Sequence, residues 1–116
     1  MSNSLQDALH QATAYQRLRP AIVKAGEHAL GRLVVTAVRP TGQGAVIGRF
    51  LLGLYDGPTY PFDLTELRGL DLPLFEDCMR VLMMDYSPEL EVHERVPNGQ
   101  AIWRELVAMW GQGVTQ

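Results

Sequence analysis

Phe62-Asp63-Leu64-Thr65-Glu66-Leu67-Arg68-Gly69-Leu70-Asp71-Leu72-Pro73-Leu74-Phe75-Glu76-Asp77-Cys78-Met79-Arg80-Val81-Leu82-Met83-Met84 reads as a short helix, a tight break and a longer amphipathic helix. Asp63 has the chemistry of an N-cap, because its carboxylate can accept from the free N–H groups of a first turn. Glu66, three residues on, completes a capping box, and Phe62 with Leu67 form a hydrophobic staple around it. Gly69 ends the short helix in the left-handed conformation that glycine reaches cheaply. Asp71 is the next cap. Pro73 suits a first turn, where its missing N–H has no helical partner. Leu74, Phe75, Cys78, Val81 and Leu82 then recur at helical spacing. Glu76 and Asp77 lie near the positive end of the helix dipole. These acids could form a carboxylate cluster for metal or acid/base work. Capping and a solvated face account for each of them without it.

The same punctuation runs outward from this stretch. Upstream, Gln43 to Tyr55 is apolar nearly all round, as expected of a central buried helix. Arg39-Pro40-Thr41-Gly42 breaks the chain before it, with Thr41 as cap, and Asp56-Gly57-Pro58 stops it. Gly44 and Gly48, four apart, allow a neighbour close approach. Arg49 is the one charged residue of this helix. It either snorkels to an edge or pairs with an acid of the second half. Further upstream, Ser4 and Asp7 make a capping-box pattern, and Leu5, Ala8, Leu9, Ala12 and Tyr15 follow the helical period. The expectation is a helix over 4–18. Pro20 interrupts it and opens a second helix carrying Ile22, Val23, Gly26, Ala29, Leu30, Leu33 and Val34. Val34 to Val38 is β-branched and reads as strand or helix. Helix is favoured, since no second strand offers itself as a partner.

Downstream, residues 85–97 form a loop long enough to suggest a function. Tyr86, Glu89, Glu91, His93 and Glu94 are its candidate interaction residues. Asn98 caps a last helix with the apolar stripe Ile102, Trp103, Leu106, Val107 and Trp110. Trp103 and Trp110 are either core anchors or, where the core leaves them uncovered, contact residues. Residues 112–116 are expected to fray.

The chain has 116 residues, 47% of them apolar, which suits one domain with a proper core. No apolar run approaches the ~18 residues of a membrane span. Met1 to His10 does not resemble a secretory signal. The single cysteine, Cys78, excludes an internal disulfide and fits a reducing cytoplasm. On the apolar side of its helix it reads as structural rather than reactive. The net charge of −3 is unevenly spread. Residues 1–55 carry six Lys/Arg against two acids, and residues 56–116 four Arg against eleven acids. This either marks a bipolar docking surface or disappears as the helices pack.

Thr41-Gly42-Gln43, Phe50-Leu51-Leu52, Phe62 to Leu67, Asp71 and Asp77-Cys78-Met79 occur in an order that resembles a family of small uncharacterised proteins. That family is encoded on integrative elements and plasmids of proteobacteria. The likeness covers about residues 30–110 and is sharpest at Phe62 to Leu67. It departs at Gly53-Leu54-Tyr55, where paired tryptophans are expected. The resemblance implies an all-helical domain of mobile-element origin and transfers no catalytic residue.

Direct signals of chemistry are weak. Gly42-Gln43-Gly44 is a fragment of a phosphate loop with no strand before it. His10, His28 and His93 are scattered, so no zinc pattern forms, and a metal on Glu91, His93 and Glu94 is the lesser reading of that loop. No nucleophile elbow is present. A helix-turn-helix split at Gly69 would present Asp71, Glu76 and Asp77 to phosphates with the wrong sign.

The reading is therefore an all-α single domain, residues 1–116, of about five helices around a buried central helix at about 43–55. It is expected to be a cytoplasmic, non-enzymatic protein-interaction or accessory module. No cofactor is expected, and the partner is an unknown protein or a second copy of the chain. The alternatives are a DNA-binding regulator using the basic first half (Arg17, Arg19, Lys24, Arg32, Arg39), or an acidic inhibitor of a host nucleic-acid-binding protein.

Overall fold

The computed structural model describes residues 3–111. Residues 112–116, expected to fray, lie outside them. Four α-helices are present: α1 Asn3–Ala37, α2 Gly42–Tyr55, α3 Leu72–Asp85 and α4 Gly99–Trp110. Two 3-10 helices, Leu64–Gly69 and Val92–Arg95, precede α3 and α4. Among the described residues there is no strand, so the fold is all-α as expected. The ambiguous stretch from Val34 is helical through Ala37. No described helix is long and apolar enough to cross a membrane.

The largest correction concerns Pro20. It does not separate two helices; it lies inside the 35-residue α1. An interior proline deletes one hydrogen bond, here to the carbonyl of Gln16. Gln16 and Pro20 are both exposed, so water can satisfy that carbonyl. Ser4 is likewise inside the helix, which already begins at Asn3, and is not its cap. At 1.5 Å per residue α1 is about 52 Å long. That matches the longest extent of the molecule, 52 × 29 × 26 Å. The radius of gyration, 16.0 Å, exceeds the roughly 13 Å of a compact chain this size. The molecule is a packed body with the first part of α1 projecting from it.

Both α2 and α3 pack against the second half of α1, and α4 and the two 3-10 helices close around α2. Thr41 caps α2, its hydroxyl accepting from the Gly44 N–H at 2.9 Å. Ile47, Phe50, Leu51 and Leu52 are buried, as the apolar run implies, while Tyr55 at the far end is exposed. Two close approaches set the helix spacings. A Cβ on Gly26 would lie 2.5 Å from the Cβ of the buried Met84 on α3. A Cβ on Gly48 would lie 2.1 Å from Cδ1 of Trp110, which packs flush on α2. The Trp110 indole N–H also donates to the Ala37 carbonyl at 2.7 Å, tying α4 to the end of α1.

The organising stretch is helical where expected but capped differently. Asp63 does cap, yet its carboxylate accepts from the Thr65 N–H and hydroxyl at 2.9 and 2.7 Å. Glu66 does not close a capping box; it pairs with Arg49. Phe62 sits edge-on to Phe50, with ring centroids 5.7 Å apart. Gly69 is not left-handed; among the described residues only Asn98 has a positive φ. Asp71 precedes α3 without a side-chain cap bond. It clasps Gln43 instead: its carboxylate accepts from the Gln43 amide at 2.9 Å, and its N–H donates to the Gln43 carbonyl oxygen at 2.7 Å. Glu66 gains a charged donor in Arg49 and Asp71 a two-way amide clasp with Gln43, both decided by tertiary packing rather than by the local turn.

Asp77 is the clearest case. It is buried, not part of a solvated face. Its two oxygens accept from Nε and Nη2 of Arg32 on α1, both at 2.9 Å, and Arg80 adds a third bond at 3.0 Å. The Arg32 hydrogen bonds hold its carboxyl below the usual carboxylate range, against the opposing effect of burial. Cys78 beside it is buried, and burial pushes its thiol up to about 12.

Two outcomes follow. Gly48→Ala should cost about 1–3 kcal/mol, because Trp110 must leave its seat; an unchanged urea midpoint would refute the close approach. Asp77→Asn should cost about 1.5–3 kcal/mol at pH 7 by weakening charge-assisted bonds. A depressed folded pKa stabilises above the unfolded value, ~3.9, and that stabilisation is lost as pH falls through the folded value. The gap between wild type and Asp77→Asn should therefore be full above about pH 5 and narrow below about pH 4. A pH-independent gap contradicts the ionised pairing.

Candidate interaction surface

The segment after α3 is not a free loop. Its 3-10 helix, Val92–Arg95, is anchored by the buried Val92 and closed by the Glu94 carboxylate, which accepts from the Glu91 N–H at 2.8 Å. Glu89 lies between two arginines, accepting from Arg19 at 2.9 and 3.2 Å and from Arg95 at 3.1 Å. Its carboxyl is held down at about 2, chiefly by the Arg19 hydrogen bonds. The His93 ring stands edge-on to Tyr55, 5.1 Å between centroids, and 6.4 Å from Trp103. Among the described residues no three His, Cys, Asp or Glu side chains are placed to hold a metal ion, and Glu91, His93 and Glu94 do not converge.

The seven candidate residues thus fall into different settings. Tyr86 is 78% exposed, the most open of the large apolar side chains among the described residues. Glu89, Glu91 and Glu94 hold the segment together. Trp103 is buried in the core, and Trp110 is half-buried and packs on Gly48. A cleft of about 510 Å³ opens between Tyr55, His93, Gln100, Trp103, Arg104 and Val107. Trp103 Nε1 and His93 Nδ1 beside it have no protein hydrogen-bond partner.

The surface that sequence reasoning missed is the projecting part of α1. Residues 3–14 are exposed throughout. Leu5 and Leu9 are 68% and 60% exposed. They continue the face that is buried lower down: Leu5, Ala8, Ala12 and Tyr15 run on through Arg19 to Ile22, Gly26, Ala29 and Leu33 at alternating three- and four-residue steps. That unbroken repeat through Pro20 was the available signal. Between residues 3 and 16 the acidic and basic side chains are Asp7 and His10, and the helical period places both away from the apolar face. At the root of this arm, Tyr15 meets Tyr86 edge-on at 5.9 Å.

Arg19 forms the root itself. Besides Glu89 it donates to the Ser87 carbonyl at 2.6 Å and the Tyr15 hydroxyl at 3.2 Å. Three of the six cations of residues 1–55 are consumed in this manner: Arg19 by Glu89, Arg32 by Asp77 and Arg49 by Glu66. Part of the charge asymmetry is taken up by this internal pairing. Arg32 and Arg80 line a groove of about 620 Å³ between α1 and α3, where Asp77 and Glu76 balance them.

No curated protein and no solved structure matches the chain. One family model does, over residues 27–111, which span the body and leave out the arm. The chain belongs to that family, described as a family of unknown function, DUF7673.

Proposed function

We propose that this chain is a non-enzymatic accessory module that works by contact with a polypeptide along the arm of α1. The supporting observation is that the apolar face of α1 does not end where its intramolecular partners end. A helix of 12–15 residues without tertiary contacts is marginal in water. An apolar stripe on such a helix gains most by being covered. The Tyr15–Tyr86 ledge extends the face at its root.

The non-enzymatic reading draws on the same geometry. The Cys78 thiol is buried and raised to about 12, so it offers no thiolate nucleophile at neutral pH. Asp77 is saturated by arginines, and Glu66 and Glu89 are tied up in pairs. Origin on a mobile element belongs to this reading through the resemblance noted from the sequence, and a cytoplasmic setting through the single cysteine. DNA binding by the first half is disfavoured, because half of its cations are already neutralised.

A photo-crosslinking residue at Leu9, on the apolar face, should give a discrete protein adduct in the producing cell. The same group at Ala14, about 140° around the helix, should not. Equal labelling from both positions, or a gel shift with DNA that weakens steeply with salt, overturns the proposal.

A further inference from the structure

The arm's dimensions and composition also identify its partner, granted the contact reading above: we infer that the face of residues 5–15 pairs antiparallel with the same face of a second copy of this chain. Beyond Tyr15 that face is already occupied. Arg19 Nη1 reaches toward the Met83 carbonyl at 3.5 Å, Met84 fills the space over Gly26, and Tyr86 lies on Tyr15. A partner helix can therefore cover only the projecting part of α1. A parallel copy would carry its own α3 and its own Tyr86 segment into the space held by the first. An antiparallel copy places its body at the opposite end.

The residues match in that orientation. In the three- and four-step repeat, antiparallel helices pair alternate positions across the seam. Leu5 of each copy then falls opposite Tyr15 of the other, and Ala8 opposite Ala12. The bulky residues meet at the two ends, where the exposed Tyr86 extends each pocket. The small residues meet in the middle and let the backbones approach. With Asp7 and His10 turned away, no like charges oppose one another across the seam. Two arms this short, together with the Tyr86 ledges, make an interface no larger than the low end of specific ones, about 1,000 Å². A weak, concentration-dependent dimer is expected.

Sedimentation of the full chain from about 1 to 200 µM should show its mass rise from 12.9 kDa toward twice that value. Leu5→Glu with Leu9→Glu should abolish the rise while leaving the helical circular dichroism of the body. A mixture of Ala8→Cys and Ala12→Cys chains should form a mixed disulfide faster than either couples to itself. A monomer across the whole range overturns the inference, as does a dimer that survives the two glutamates or cysteines that each couple fastest to themselves. A monomer whose Leu9 position still crosslinks to a different protein would sink the second copy as partner and leave the contact reading standing.

Discussion

Arg19 sets the point at which α1 passes from the body to the arm. Its side chain is only 13% exposed, and its guanidinium ties α1 to the segment after α3 through Ser87 and Glu89. Arg95 grips the same Glu89 and also Glu27, about two turns further along α1. Charge-assisted bonds of this kind are about twice as strong as neutral ones. They hold the end of α3 against α1, and α3 has no further turns with which to follow it. Residues 3–14 are left with one apolar face and, among the described residues, nothing on it.

The body below that point is assembled on the second half of α1. Leu30 and Leu33 are fully buried there, with Ile47 and Leu51 from α2, Val81 and Met84 from α3, and Leu106 from α4. Apolar burial supplies the driving force. The polar contacts choose the geometry: Asp77 registers α3 on α1, Gln43 and Asp71 clasp the start of α2 to the start of α3, and Trp110 locks α4 to Ala37. Three opposite-charge pairs between the two halves of the chain serve this assembly, Arg19–Glu89, Arg32–Asp77 and Arg49–Glu66.

Elements governed by local chemistry were legible in the sequence. Thr41 as a cap, the apolar helix from Gln43 to Tyr55, the break at Asp56 and the stripe from Ile102 to Trp110 depend on neighbours within a turn or two, and each stands as read. Features decided across the chain were not. A proline opening a helix and one inside it look alike. What carries α1 past Pro20 includes contacts of Arg19 with residues 64–70 positions away. Asp77 in an early helical turn reads as dipole stabilisation, and only Arg32, 45 positions back, makes it a buried anchor. The tryptophans were read with both outcomes open; Trp103 is buried in the core and Trp110 lies half-buried on Gly48. The arm was hidden for a related reason: an apolar face looks the same in sequence whether or not anything covers it.

The central claim is that α1 has two physical halves divided at Arg19. Amide hydrogen exchange along α1, at a concentration where the chain is monomeric, tests it most directly. The account predicts a step: residues 22–37 exchange slowly, near the global unfolding limit, while residues 5–15 exchange about a hundredfold faster or more, as expected of an unsupported helix. Uniform slow exchange from residue 5 to residue 37 in the monomer would contradict it.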